Sequence, residues 1–125
     1  MGLILLDSSF AIAVFSSDDL HHMQALQNYD AANTYIASTV TAAEVMAGAF
    51  KSGSESFIWP RLQRLVKEFI AVDEKVAYQA AQIRVERGLK TPDAIISATA
   101  SIKGAELWTF DSKLAKATPG ARCLA

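Results

Sequence analysis

Leu89-Lys90-Thr91-Pro92-Asp93-Ala94-Ile95-Ile96-Ser97-Ala98-Thr99-Ala100 reads as the start of a packed helix that presents a carboxylate in its first turn. Thr91 is a good cap, and Pro92 suits the first helical position, where its missing N–H is no loss. Asp93 follows in the turn whose dipole favours negative charge. The body of the helix is small and apolar through Ala94, Ile95, Ile96, Ala98, Ala100 and Ile102, which predicts deep packing. An acid at the mouth of a buried helix needs a partner, so the flanking segments are read for one.

Upstream, a helix over Glu74 to Arg87 stops at Gly88, and before it Phe69-Ile70-Ala71-Val72 reads as a strand closed by Asp73. Downstream, Gly104 stops the helix, Leu107-Trp108-Thr109-Phe110 reads as a strand closed by Asp111, and a short helix follows from Ser112 to Lys116. The Pro119-Gly120 turn and a small strand over Arg122 to Leu124 finish the chain. At the other end, Leu3 to Leu6 is an unbroken apolar run closed by Asp7-Ser8-Ser9, the pattern of a buried strand that meets a helix cap. Short helices are predicted over Phe10 to Phe15 and from near Ser17 onward, the second with Leu20, Met23, Ala25 and Leu26 at helical spacing. After a break at Asn33 come a strand over Thr34 to Ala37 and a helix over Ser38 to Phe50. That helix is expected to place Val40, Ala43, Ala47 and Phe50 on one side, with Gly48 permitting close approach. Lys51 to Ser54 is a loop, and Glu55 to Lys67 a helix carrying Phe57, Ile58, Leu62, Leu65 and Val66. Strands alternating with helices predict an α/β domain over residues 1–125. The architecture expected is a three-layer α/β/α sandwich with a mostly parallel central sheet of about five strands.

The chain of 125 residues is 51% hydrophobic and 20% charged, which fits a packed globule and excludes a disordered one. A net charge of −1 excludes a general attraction to polyanions, so a nucleic-acid partner would require local basic clusters or a bound cation. The single Cys123 excludes an internal disulfide and suits a reducing compartment, where it reads as a late packing residue. No apolar run approaches the ~20 residues that span a bilayer, and Leu3 to Leu6 is too short for a secretory core, so a cytoplasmic protein without a membrane partner is expected.

In open parallel sheets the working crevice lies beyond the carboxyl ends of the strands, which makes Asp7, Asp73 and Asp111 worth weighing together with Asp93 and Glu44. Each has an ordinary explanation. The first three can cap the helices that follow, Asp93 can complement a dipole, and Glu44 can close a capping box with Thr41.

The pattern of the whole chain goes further. Leu6-Asp7-Ser8-Ser9, the Thr-x-x-Glu-x-x-x-Gly helix from Thr41 to Gly48, the Pro-Asp-Ala-Ile-Ile-x-Ala-x-Ala run from Pro92 to Ala100, and Thr109 to Asp111 together resemble the PIN domain. At this length the chain is similar to the VapC-type toxins of toxin–antitoxin pairs. The resemblance implies an acidic site of Asp7, Glu44, Asp93 and Asp111, with Asp7 and Asp93 as direct metal ligands, and Asp73 matches none of the family's acids. It also implies an endoribonuclease that cuts single-stranded RNA with metal-activated water, a cognate antitoxin and a homodimer. Ser8 stands where the family often has Thr, and Leu114 where an aromatic is common.

Two bare carboxylates about 4 Å apart repel by roughly 4 kcal/mol at an effective dielectric near 20, so four converging acids must protonate, spread or take a cation. Oxygen-only ligands select Mg²⁺ or Mn²⁺. Ser8 and Thr109 would orient the ligands. His21 and His22 lack the companions of a zinc site and read as a solvated or interface patch.

Arg84, Arg87 and Lys90 recur at three-residue intervals up to Asp93, and Lys113 and Lys116 follow Asp111. Both groups are candidates for contacts to substrate phosphates. Arg61, Arg64 and Lys67 read as a solvated face, Trp108 as core, and Trp59 beside Pro60 as an exposed aromatic that a partner would cover.

Two other readings compete. A phospho-accepting receiver domain has a similar length and would use Asp73 as acceptor, Asp7 as metal ligand and Thr109 as switch hydroxyl. It wants paired acids after the first strand, a Lys after the fifth and one helix per crossover, and the sequence offers none of these. A scaffold that binds RNA or protein without cutting would not need all four acids.

Overall fold

A computed structural model describes residues 2–124. The apolar run Leu3–Leu6 forms β1 and takes the centre of the sheet, as a strand without a polar face must. β2 (Thr34–Ser38), β3 (Glu68–Ile70), β4 (Glu106–Thr109) and β5 (Arg122–Cys123) complete the order β3-β2-β1-β4-β5. Every neighbouring pair is parallel, so the predicted "mostly parallel" sheet of about five strands is parallel throughout.

Alternation along the strands assigns the two faces. Leu5, Ile36, Ile70 and Leu107 point toward α5 (Glu74–Arg87), α6 (Thr91–Lys103) and α7 (Ser112–Ala117), where Val76, Ala80, Ile83, Ile96, Ala98 and Leu114 complete one core. Ile4, Leu6, Tyr35 and Trp108 point the other way, against Phe10 and Ala13 of α1 (Ser8–Phe15) and Ala25 of α2 (His22–Asn28). Beside them, Ala37 and Ala11 pack with Val45 and Ala49 of α3 (Thr39–Ser52) and Ile58 and Leu62 of α4 (Glu55–Leu65). The result is the expected α/β/α sandwich.

This strand order also removes the receiver reading, because a receiver runs 2-1-3-4-5. Asp73, its proposed acceptor, caps α5, with Oδ1 accepting from the Val76 amide at 2.9 Å.

Several local expectations are corrected. α2 begins at His22 rather than near Ser17, so Leu20 falls in the preceding turn; Ala25 is buried, while Leu20, Met23 and Leu26 are exposed. The buried face of α3 is Thr41, Val45 and Ala49, whereas Ala43, Ala47 and Phe50 face outward. A Cβ placed on Gly48 would meet nothing within 4 Å, so that glycine serves no close approach. α6 starts one residue early: Lys90 is the cap position, without a side-chain bond, and Thr91 is already helical. Of the two alternatives for the histidines, the solvated one is corrected: both are half-buried. His21 stacks on Phe110 with ring centroids 4.3 Å apart, and His22 Nδ1 lies 2.6 Å from the Ala13 carbonyl. Cys123 is exposed on the edge strand, not packed. Trp108 is buried and Trp59 is 40% exposed, as predicted. No helix among the described residues is long and apolar enough to cross a membrane.

Candidate active site

The chain runs outward from β1 to β2 and β3 and then returns to place β4 on β1's other side. β1 and β4 therefore flank the point where winding reverses, and the crevice of such a sheet opens there. Asp7 follows β1 directly, and its amide donates to the Trp108 carbonyl of β4 at 3.1 Å. It is buried, 4% exposed, and a buried carboxylate requires hydrogen-bond donors. Oδ1 accepts from the Ser8 amide at 2.8 Å, while Oδ2 accepts from Ser9 Oγ and Thr109 Oγ1, each at 2.7 Å. These bonds fix the carboxylate's orientation.

Thr109 and Ser9 extend the network. The Asp111 amide donates to Thr109 Oγ1 at 2.9 Å, and the Phe110 amide donates to Ser9 Oγ at 3.1 Å. Asp111 then caps α7, its Oδ1 accepting from the amides of Lys113 and Leu114 at 2.9 and 3.3 Å. Among the described residues Oδ2 accepts no hydrogen bond.

Glu44 arrives by another route. The capping-box explanation fails, because Ser38 caps α3 through the Val40 amide and Thr41 is fully buried. Thr41 Oγ1 instead donates to the carbonyl of Leu6, the residue before Asp7, at 3.3 Å. That bond ties α3 to the end of β1, and Glu44 is exposed one turn further along.

Asp93 reports on how these acids are arranged. Its carboxyl is held above the usual range, first by burial and then by the charges of Asp7, Asp111 and Glu44, in that order, with Lys90 pulling back. The acids predicted from four separate segments therefore act on one group. They do not form a finished cage: among the described residues no three His, Cys, Asp or Glu side chains converge as metal ligands would. The two observations agree physically, since repulsion decays slowly with distance whereas Mg²⁺ coordination needs contacts near 2.1 Å. An all-oxygen, mutually repelling donor set suits a hard divalent cation, whose arrival would offset that repulsion.

The other candidates divide. Ser8 Oγ stands 3.5 Å from Asp7 Oδ1, so its amide is the effective donor, and the short hydroxyl bond comes from Ser9, which the sequence reading passed over. Thr109 sits as expected. Lys90 faces Asp93 electrostatically, whereas Arg84 turns to the Leu89 carbonyl at 3.4 Å and Arg87 to the Ala117 carbonyl at 2.8 Å. Lys113 is exposed beside Asp111. The spacing Asp-Ser-Ser, with a hydroxyl two residues past a strand-end acid, was the available signal for Ser9.

Comparison with known proteins gives a consistent picture. The family model described as "PIN domain" matches residues 4–118. No curated protein matches the chain. Among solved structures, a chain of a toxin–antitoxin complex from Klebsiella pneumoniae is 32% identical, with 98% of each chain covered and a TM-score of 0.77. VapC20 of Mycobacterium tuberculosis, described as a sarcin-ricin loop cleaving toxin, is 21% identical over 91% of this chain and 94% of that one, TM-score 0.74. FitAcB from Neisseria gonorrhoeae is 23% identical over 94% of each, TM-score 0.74. The last two establish likeness of fold alone.

Proposed function

The chain belongs to the PIN domain family, and from that premise we propose that it is the endoribonuclease toxin of a toxin–antitoxin pair, acting on single-stranded RNA with Mg²⁺ or Mn²⁺. The observation that carries this reading is the placement of the buried, hydrogen-bonded Asp7 and of Asp111 at the crevice between β1 and β4, where their charges and that of Glu44 add to burial in raising the carboxyl pKa of Asp93. An uncompensated acidic cluster at the crevice of a parallel sheet is costly to maintain, and a cation-dependent reaction gives it a purpose.

Asp7 and Asp93 would hold the ion, with Glu44 and Asp111 completing the donor set. When bound, such an ion neutralises charge on a phosphodiester and supplies an activated water. The protein's own residues do the rest. Ser9, Thr109 and the Ser8 amide hold Asp7 in a single orientation. The α7 amides occupy Asp111 Oδ1 and leave Oδ2 to accept a proton from an attacking water. Lys90 moderates the negative potential that would otherwise repel RNA.

The same reading takes residues 1–125 as one nuclease domain, working as a homodimer in the cytoplasm. A cognate antitoxin is supported by the Klebsiella pneumoniae toxin–antitoxin complex and by an apolar groove of about 450 Å³ lined by Met46, Phe50, Trp59 and Pro60. That groove suits a partner's apolar segment.

The test is to incubate the purified protein with single-stranded RNA in Mg²⁺ or Mn²⁺, then in EDTA, alongside Asp7→Asn and Asp93→Asn. Cleavage should require the metal and vanish in both variants. Cleavage that survives either substitution refutes the ligand set. An RNA-binding scaffold would bind the same RNA and leave it whole.

A further inference from the structure

Three cations that the sequence scatters line a single cleft. Arg87 closes α5, Lys113 and Lys116 lie on α7, and with Ser112, Ala117 and Pro119 they wall a cleft of about 670 Å³. Lys113 and Lys116 are one helical turn apart, hence on one face, and both are exposed. Arg87 is anchored over the same space because Nη1 donates to the Ala117 carbonyl at 2.8 Å, which holds a planar, permanently charged fork at the last turn of α7. Among the described residues no carboxylate lines the cleft.

The location matters as much as the charge. Ser112, which lines the cleft, is the residue after Asp111, so the cleft runs along α7 from the helix end that Asp111 caps. A chain of net charge −1 whose reactive crevice is acidic must find its attraction for a polyanion elsewhere. Arg84, bonded to Leu89, and Lys90, set against Asp93, do not line this space, so the cationic groups read from the sequence regroup in three dimensions as Arg87 with Lys113 and Lys116.

We propose that this cleft binds backbone phosphates of the RNA strand on one side of the scissile bond, a subsite that rests on the nuclease reading of the neighbouring acids. Arg87 offers paired N–H groups to phosphate oxygens, and the two lysines supply mobile charge. Phosphate contacts of this kind fix the register of the strand without reading its sequence.

The experiment measures binding without cutting. Fluorescence anisotropy in EDTA follows a labelled ten-nucleotide single-stranded RNA on the full chain over a salt series. Lys113→Ala/Lys116→Ala should weaken Kd by about tenfold, and the slope of log K against log salt should flatten by about 1.4, at roughly 0.7 per phosphate contact on a single strand. Arg64→Ala/Lys67→Ala, which removes the same charge from another face, should keep the wild-type Kd and slope. Arg87→Lys should bind better than Arg87→Ala, with thermal melting used to verify that both fold. Equal weakening in the two double variants, no change in Lys113→Ala/Lys116→Ala, or no RNA binding by the wild type at low salt overturns the proposal. Cleavage by the wild type in Mg²⁺ is scored separately: a nuclease with unchanged binding in the cleft variant loses only the subsite, whereas an RNA binder that never cuts keeps a phosphate-binding cleft but loses the nuclease reading and, with it, the subsite's place beside a scissile bond.

Discussion

Thr109 Oγ1 donates to Asp7 Oδ2 at 2.7 Å, joining residues 102 positions apart across the β1–β4 boundary. Both side chains are buried, so the bond sits where water cannot substitute for either partner. Thr109→Val keeps the shape and removes the donor. It should destabilise the fold by about 1–3 kcal/mol in urea denaturation and depress cleavage, and Thr109→Ser should restore most of both. A Thr109→Val protein as active and stable as wild type would show that Asp7 does not depend on this bond.

Ser9 and Ser8 should separate cleanly. Ser9→Ala deletes the 2.7 Å bond to Asp7 and strands the Phe110 amide, whereas Ser8→Ala leaves the Ser8 amide in place. Removing a group that orients a metal ligand typically costs about 10–100-fold in metal affinity or activity. That loss is expected for Ser9→Ala in Mg²⁺ titrations of cleavage, and a much smaller one for Ser8→Ala. The reverse order would assign the orienting role to the wrong hydroxyl.

Asp93 carries a stability signature. Its carboxyl pKa is raised by burial and by Asp7, Asp111 and Glu44, so the folded protein binds that proton more tightly than the unfolded chain does. The associated stability is fully present below the ordinary carboxylate pKa and is lost as pH rises through the raised value. Asp93→Asn should therefore melt at a higher temperature than wild type at pH 7, and the advantage should fade toward about pH 4. Mg²⁺ should raise the Tm of the wild type more than that of the variant. A lower Tm for Asp93→Asn at neutral pH would contradict the electrostatic picture.

Phe10 links packing to the site. It is fully buried between Trp108 and Phe110, with ring centroids 5.5 and 5.8 Å away, one residue from Asp111. Phe10→Ala should cost about 3–5 kcal/mol in equilibrium unfolding, and Phe10→Leu much less.

Phe50 and Trp59 line the apolar groove and are 66% and 40% exposed. On the proposed toxin–antitoxin reading, Phe50→Asp should leave thermal stability within about 0.5 kcal/mol yet abolish co-purification with the partner, and Trp59→Ser should do the same at a cost of about 1–2 kcal/mol from its lost stacking on Phe69. Retention of the complex would move the partner to another face.

How much of this was visible in the sequence depends on which contacts decide each feature. Leu3 to Leu6, apolar on both sides, reads as a strand covered on both faces, and the acids that close strands or open helices point to the crevice from the sequence alone. α3 misled because alanines fill several of its faces. What turned it was a polar residue, Thr41, drawn inside by the Leu6 carbonyl, and hydrophobic periodicity cannot register such a bond. α2 misled in the opposite sense, since Leu20, Met23 and Leu26 obey helical spacing yet have no layer above them to bury against. Ser9 was legible only through its bond to Asp7 two residues back, since its other partners, Thr109 and Phe110, lie about a hundred residues away, and Arg87 was grouped with Arg84 by spacing when the fold pairs it with α7.

The placement of β1 between its earliest and its latest partner has a consequence for biosynthesis. Asp7 is synthesised about a hundred residues before Thr109 and Asp111, roughly five to twenty seconds at about 5–20 residues per second. Until then the central strand lacks one neighbour and Asp7 lacks the Thr109 hydroxyl that orients it, so the acidic crevice assembles only after β4 has been made.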